Sequence, residues 1–285
     1  MANLILATCQ FPVNKKCEQN LLYATRQIKL AKAKGAHLVH FSESCLSGYL
    51  GAEIKSRRHV NWDLVTSCMR EVMALAKKHC VWIVIGCNHR LSNKHKPHNS
   101  LYVIDDQGRI VNRYDKMFCC GRNANEDDLR HYSPGESFVT FKVRNVKCGL
   151  LICHDFRYPE LFRRYKRLGV ELMLVSFHNA GMNIAQYDKY IVYVTATLQS
   201  AAASNYFTIS ANNSSTKYAW PSFVVNAEGL IVTKTRPHRP AVLINIIDTK
   251  EKLYDGSPCR DRCMKGILHS GTLVRDPRSR NRKSL

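Results

Sequence analysis

Two segments in different halves of the chain share one pattern, in which a strand, a tight turn with glycine and a second strand follow one another. Residues 101–111 read LYVIDDQGRIV, and residues 222–232 read SFVVNAEGLIV. Each predicted hairpin follows an alternation of strands and helices, although the match is too short to establish a repeat by itself. Two such halves favour two sheets packed face to face with helices outside, which is a four-layer α-β-β-α sandwich of the α/β class.

Hydrophobic periodicity locates the individual elements. Apolar residues at helical spacing predict helices over residues 18–34, 62–78, 160–168 and 187–204. Short apolar runs predict strands over residues 3–9, 37–41, 81–86, 100–104, 110–114, 138–143, 146–152, 171–175, 206–210, 223–225, 231–234 and 242–246. Residues 117–136 are polar and irregular, which is typical of a functional loop. Because no linker separates the halves, we predict one domain over residues 1–258 and a basic tail over residues 259–285.

The chain is strongly basic. It has 285 residues, with 43 Lys and Arg against 22 Asp and Glu, and a net charge of +21. The excess is scattered, which favours a solvated basic surface over a dedicated nucleic-acid site. No stacking-aromatic motif of the RNA-binding kind accompanies it, so nucleic acid is not the favoured partner, although the charge leaves it open.

Several broad classes are disfavoured by the sequence. Residues 1–7 are typical of a first strand and not of a signal peptide, and no apolar run is long enough to span a membrane. Twelve cysteines without a secretory signal favour a reducing compartment, so we predict a cytoplasmic protein. Cys259 and Cys263 lack a second pair of ligands, so we predict no metal site.

Cys153 stands at a boundary that suits a nucleophile. Residues 146–152 predict a buried strand, and Pro159 suits the first turn of the helix that follows. Free backbone N–H groups at such an elbow can stabilise an oxyanion. A buried structural cysteine is the ordinary alternative.

Two charged residues follow other strands in the same way. Glu43 comes just after the strand 37–41, and Lys116 just after the strand 110–114. If these strands and that of Cys153 are neighbours, the three side chains meet in a crevice at the strand ends. A carboxylate could then accept the thiol proton, and an ammonium could stabilise the oxyanion formed when the thiolate attacks a carbonyl-like carbon. Taken singly, Glu43 and Lys116 would be ordinary surface charges, so their joint placement supports the chemistry.

The same residues lie in three motifs. Residues 41–49, FSESCLSGY, resemble a glutamate motif that is usually Phe-Pro-Glu followed by Gly-Tyr. Residues 112–116, NRYDK, resemble a Tyr-x-Lys motif, and residues 148–160, CGLLICHDFRYPE, resemble Gly-x-x-Ile-Cys-Tyr-Asp-x-Arg-Phe-Pro-Glu. The three motifs occur in the order found in the nitrilase, or carbon–nitrogen hydrolase, superfamily, and residues 4–248 resemble that superfamily. The resemblance is to its amidase and carbamoylase branches.

The resemblance implies a role for each residue. Glu43 would be the general base, Lys116 the stabiliser of the tetrahedral intermediate and Cys153 the nucleophile, with the backbone N–H of His154 in the oxyanion hole. A thioester would form after ammonia or an amine leaves, and water would release it as an acid without any cofactor. The resemblance also implies a homodimer or higher homo-oligomer, built through the helix near residues 158–167.

A second acidic residue precedes Tyr-Ser-Pro-Gly at residues 132–135, where the family often has a glutamate. Counting without a gap favours Asp128 as this further catalytic residue, whereas residue identity favours Glu126. Cys-His-Asp replaces the Cys-Trp-Glu of true nitrilases, which favours amides over nitriles. The candidate substrate-binding residues are Tyr49, His154, His178, Asn179 and Trp220, and for His178 and Trp220 an ordinary core role weighs equally.

Taken together, the sequence predicts a thiol-dependent hydrolase of non-peptide C–N bonds. Its substrate would be a small linear amide or an N-carbamoyl compound. The alternative is a catalytically silent nitrilase-like protein whose basic surface binds nucleic acid or another anionic partner.

Overall fold

The computed structural model describes residues 3–92, 94–179, 184–216, 219–254 and 256–283, apart from the side chains of residues 184–187. The chain divides into two compact units, Met1–Glu251 and Lys252–Leu285. Among the described residues, no helix combines the length and apolar character needed to cross a bilayer.

Strands build the first unit and one helix pair covers each side of it. The strands are β1 (Leu4–Gln10), β2 (Leu38–Phe41), β3 (Trp82–His89), β4 (His98–Ile104), β5 (Ile110–Asp115), β6 (Thr140–Val143), β7 (Val146–Ile152), β8 (Leu172–Ser176), β9 (Thr208–Asn212), β10 (Phe223–Val225), β11 (Ile231–Lys234) and β12 (Ala241–Ile247). The helices of this unit are α1 (Cys17–Ala33), α2 (Trp62–His79), α3 (Asp127–His131), α4 (Pro159–Arg167) and α5 (Ile184–Asn205). The second unit contains α6 (Ser257–Met264) and α7 (Pro277–Arg280).

The strands form two six-stranded sheets of matching design. Their orders are β12-β1-β2-β3-β4-β5 and β11-β10-β9-β8-β7-β6. β1, β2 and β3 are parallel, as are β7, β8 and β9. The hairpin β4–β5 pairs antiparallel with β3, and the hairpin β10–β11 pairs antiparallel with β9. The two similar sequence segments therefore occupy corresponding positions in the two sheets.

Alternation along the strands separates an inner from an outer core. Leu6 and Leu38 belong to the cluster that includes the second sheet, whereas Ala7 and Val39 belong to the cluster that includes α1 and α2. A buried polar layer also links the sheets, since the Nδ1 and Nε2 atoms of His40 lie 2.9 and 2.8 Å from the hydroxyls of Ser210 and Ser176. Burial lowers the pKa of His40 to about 3, so its ring is neutral in this layer. The predicted four-layer α-β-β-α sandwich is confirmed.

Most predicted elements lie within a few residues of the observed ones. α2 begins where the Asn61 side chain accepts a 3.1 Å hydrogen bond from the Leu64 N–H, and it ends at Cys80, which has a left-handed φ of 44°. The strand predicted over 206–210 begins instead at Thr208, because Tyr206 adopts a left-handed φ of 54° after α5. The segment 117–136, predicted to be irregular, contains the short helix α3.

Candidate active site

The three residues singled out after strands line one cavity of about 600 Å³, a volume typical of small-molecule sites. Glu43 follows β2, Lys116 follows β5, and Cys153 follows β7. β2 and β5 are not neighbours, since β3 and β4 lie between them, and β7 belongs to the facing sheet. The sequence-based expectation required the three strands to be neighbours. The structure instead brings the three residues together by packing the two sheets face to face.

Glu43 is positioned by a glycine on the neighbouring strand. A Cβ on Gly86 of β3 would lie 2.3 Å from the Ser42 carbonyl oxygen and 2.4 Å from the Ser44 nitrogen. Only glycine allows this close approach. The backbone N–H of Glu43 also donates to the Phe177 carbonyl at 3.3 Å, which ties the segment to the other sheet.

Lys116 is fixed on both sides of its backbone. Its N–H donates to the Asn99 carbonyl at 2.9 Å, and its carbonyl accepts from the Gly135 N–H at 2.8 Å. Its ammonium lies 3.0 Å from Glu43 Oε1 and 2.7 Å from Asp128 Oδ2. Both Lys116 and Glu43 are only 1% exposed. Lys116 thus forms a buried ion cluster with two carboxylates.

The ion cluster is completed by neutral donors. Asn99 donates from Nδ2 to Glu43 Oε1 at 2.7 Å, the Tyr49 hydroxyl donates to Asp128 Oδ1, and the Cys120 N–H donates to Asp128 Oδ2 at 3.1 Å. Sequence reasoning missed Asn99, because its partner is 56 positions away in the chain.

The charges of the ion cluster stabilise one another. Burial alone would lower the pKa of Lys116, but Glu43 and Asp128 hold it well above its usual range. Burial opposes ionisation of Asp128 too, yet the Lys116 ammonium keeps the pKa of this carboxyl below its usual range. The structure therefore places Asp128, and not Glu126, beside Lys116, because Glu126 is paired with Arg122 at 3.3 Å on the surface.

Cys153 occupies a strained elbow. Its φ is 43°, in the left-handed region that non-glycine residues seldom adopt, and its side chain is partly exposed. Burial raises the pKa of the Cys153 thiol well above its usual range; Glu43 raises it further and Lys116 lowers it. The resting thiol is therefore protonated and needs a base.

A buried carboxyl holds the elbow. Asp155 Oδ2 accepts from the Ile152 N–H at 3.0 Å and from the Tyr114 hydroxyl at 2.8 Å, and its Oδ1 accepts from the Phe118 N–H at 2.8 Å. Ile152 precedes Cys153, and Phe118 lies just beyond Lys116. Asp155 thus ties the nucleophile segment to the lysine segment.

The candidate substrate-binding residues fall into two groups. Tyr49, His154, Asn179 and Trp220 line the cavity. His178 is 1% exposed and lies behind this lining, with Nδ1 2.9 Å from the Ser214 hydroxyl and Nε2 2.9 Å from Glu53 Oε1. Glu53 also accepts from the Tyr49 N–H at 3.0 Å, so Glu53 connects His178 to the segment that carries Tyr49.

Two buried donors in residues of the cavity lining have no partner among the described residues. They are Nε1 of Trp220 and Nδ2 of Asn179, and both atoms are buried. A buried donor left unpaired is costly, so such groups are commonly satisfied by a ligand or by water. Within the part of the chain that the structure describes, no group of three or more His, Cys, Asp or Glu side chains is arranged to hold a metal ion.

Known proteins match both the sequence and the fold. The carbon-nitrogen hydrolase family model matches residues 5–251. A protein named hydrolase in agr operon, from Staphylococcus lugdunensis, is 27% identical over 237 residues, which cover 80% of this chain and 95% of that protein. A deaminated glutathione amidase from Yersinia enterocolitica is 27% identical over 183 residues, covering 61% of this chain and 63% of that protein.

A solved structure shows the same architecture. It is a variant of the amidase from Nesterenkonia sp. AN1, with the acetamide moiety of fluoroacetamide added covalently at its active-site cysteine. It superposes with a TM-score of 0.75 at 18% identity and covers 86% of this chain and 90% of that one. The two matching sheets agree with this shared fold, and the family match over residues 5–251 establishes that the chain belongs to the carbon-nitrogen hydrolase family.

Proposed function

We propose that the protein is a thiol-dependent hydrolase of a small linear amide or N-carbamoyl compound. The observation that carries this proposal is the buried Glu43–Lys116–Asp128 ion cluster in the same cavity as Cys153. A base, an oxyanion stabiliser and a nucleophile are the groups that acyl transfer requires.

In the first step, Glu43 accepts the proton of the Cys153 thiol. The raised pKa of this thiol means that little thiolate exists before substrate binds, so attack and proton transfer are coupled. The sulfur forms a bond to the carbonyl carbon, and the π electrons of the carbonyl move to its oxygen. Lys116 remains an ammonium next to this oxyanion because both carboxylates raise its pKa.

The backbone offers a second oxyanion donor. Residues 153–157 form a 3-10 turn, and the first N–H groups of a helical turn have no partner within it. The N–H of His154 is therefore available to the oxyanion beside Lys116. Collapse of the intermediate breaks the C–N bond, and the amine leaves with the proton held by Glu43.

Water then releases the acyl group. Glu43 takes a proton from water as the water oxygen attacks the thioester carbon, and a second oxyanion forms beside Lys116. Breaking the C–S bond returns the proton to Cys153 and frees a carboxylic acid, or a carbamic acid from a carbamoyl substrate. Asp128 holds Lys116 throughout and is not consumed.

Recognition of the substrate falls to the side chains that line the cavity beside the reacting groups, among them Tyr49, His154, Asn179 and Trp220. The cysteine adduct of the Nesterenkonia amidase supports the same choice of nucleophile. Dimerisation through α4 and a cytoplasmic location stay predictions.

Turnover of a panel of small amides and N-carbamoyl compounds, followed by ammonia release, tests the proposal. Cys153→Ala should abolish release, whereas Cys80→Ala, at an exposed cysteine after α2, should not change it. Mass spectrometry after exposure to a haloacetamide should show Cys153 alkylated as a stable thioether, with the halide as the leaving group. If the whole panel is inert and Cys153 is labelled no faster than Cys80, the silent binding protein becomes the better description.

A further inference from the structure

A second cavity, which we call the basic cavity, adjoins the active-site cavity. Its volume is about 850 Å³, and its charged lining consists of Glu53 and the cations Lys55, Arg57, Arg58, Lys96 and Arg130. Gly51, Ala52 and His131 line both cavities. Two of these shared residues are in close contact, because a Cβ on Gly51 would lie 2.8 Å from the His131 ring.

Three cations of the basic cavity are held by backbone carbonyls, and none of the five described cations is neutralised. Lys96 Nζ donates to the carbonyls of Leu129 and Ala124 at 2.5 and 2.9 Å, and Arg130 Nε donates to the Asn125 carbonyl at 2.8 Å. Arg57 donates to the His95 carbonyl. Among the described residues, none of the five cations forms an ion pair with a carboxylate.

The carboxylate that lines the basic cavity, Glu53, is already bound to other groups of the protein. Glu53 lies 2.9 Å from His178 Nε2, and this ring and the Tyr49 N–H hold the pKa of Glu53 below its usual range although burial opposes its ionisation. The neighbouring His131 adds no further charge at neutral pH, since burial and then Arg130 lower its pKa. The basic cavity therefore carries an excess of fixed positive charge.

We propose that the basic cavity binds an anionic group of the substrate, a carboxylate or a phosphate, remote from the bond that is cleaved. Arg57, Lys96 and Arg130 are held by backbone carbonyls and are therefore preorganised for such a group, whereas the exposed Lys55 and Arg58 add positive charge beside them. Gly51, Ala52 and His131 line both cavities, so the proposal requires a substrate bound at Cys153 to extend past these residues and place its anion among the cations. This inference rests on the proposed function and narrows it to amides that carry a distal anion.

A binding experiment tests the anion site independently of catalysis. Inorganic phosphate and pyrophosphate, compared with sodium chloride at equal ionic strength, should raise the melting temperature of the wild type and of Cys153→Ala alike. The double variant Lys55→Gln/Arg58→Gln should lose this stabilisation; both side chains belong to exposed residues. The matched control Lys29→Gln/Lys78→Gln removes two exposed lysines of α1 and α2 and should keep it.

A kinetic experiment connects the site to the reaction. Amides of equal length with a neutral, a carboxylate or a phosphate end should differ in KM, and KM should be lower for an anionic end. The anion with the lowest KM identifies the group that the basic cavity binds. Lys55→Gln/Arg58→Gln should raise KM for the preferred amide roughly tenfold or more, with no change for the neutral amide. Added salt should likewise raise KM only for the anionic amides.

Two outcomes overturn the inference. One is equal stabilisation of wild type and Lys55→Gln/Arg58→Gln by phosphate and pyrophosphate. The other is tight binding of an oligonucleotide with no effect of inorganic phosphate or pyrophosphate, which would assign these cations to nucleic acid. If no amide is hydrolysed, the proposed function fails, yet the stabilisation of Cys153→Ala still decides whether an anion site exists.

Discussion

Asp155 offers the sharpest quantitative test of how the site is held. Its side chain is fully buried and accepts from the Ile152 N–H, the Phe118 N–H and the Tyr114 hydroxyl. Burial nevertheless raises its pKa from 3.8 to about 6, and the donors offset this rise only in part. The protein thus holds an acid at the elbow that ionises with difficulty.

The sign of the pH dependence follows from this shift. Because the pKa is higher in the folded than in the unfolded state, the folded protein binds this proton more tightly. The resulting stabilisation is fully present below the unfolded-state pKa of 3.8 and is lost as the pH rises through about 6. A difference of about two units corresponds to a free energy of about 3 kcal/mol.

Asp155→Asn removes the titration and keeps the shape. The amide has one acceptor oxygen for three donors, so at least one buried donor loses its partner, at a cost of about 1–3 kcal/mol that does not depend on pH. Urea unfolding should show the variant less stable than wild type at about pH 4, and the difference should shrink by about 2 kcal/mol by about pH 8. Turnover should also fall, through kcat more than KM, because the elbow of Cys153 is less firmly held.

Asp105 supplies a control of opposite sign. This buried carboxyl accepts from the N–H groups of Arg109 and Gln107, and these contacts hold its pKa below 3.8 even though burial opposes ionisation. Its stabilisation is fully present above the unfolded-state pKa of 3.8 and is lost as the pH falls through the lower folded-state pKa, so Asp105→Asn should lower stability by a constant amount between about pH 5 and about pH 8. If the difference between wild type and Asp155→Asn were equally constant, the buried-acid reasoning would be refuted.

Two further substitutions test how Glu43 is positioned. Gly86→Ala places a methyl group 2.3 Å from the Ser42 carbonyl, so the Glu43 segment must shift. We expect the free energy of unfolding in urea to fall by roughly 1–3 kcal/mol and most of the turnover to be lost. Unchanged turnover would contradict this account. Asn99→Ala removes the 2.7 Å donor to Glu43; we expect kcat to fall by roughly tenfold or more with KM little changed, and a change confined to KM in steady-state kinetics would argue against a positioning role.

Local sequence was sufficient for the parts of this protein that depend on neighbours along the chain. The strand that ends at Cys153, and the positions of Glu43 and Lys116 just after strands, follow from short apolar runs and the polar residues that end them. The two hairpins of similar sequence predicted two matching sheets, because hairpin formation is itself local. The short helix α3 was missed because polar residues carry no apolar periodicity.

Only the tertiary structure decided what joins distant segments. The choice of Asp128 over Glu126 depends on which side chain reaches Lys116, and neither spacing nor residue type encodes that distance. The engagement of His178 by Glu53 spans 125 positions, so the sequence could offer His178 only as a candidate. The charge excess was visible from composition, but a local group of five cations arises because Lys55–Arg58, Lys96 and Arg130 come from three segments that fold around one cavity. The sequence determines which side chains are present, whereas the distances between them are set only when the two sheets pack together.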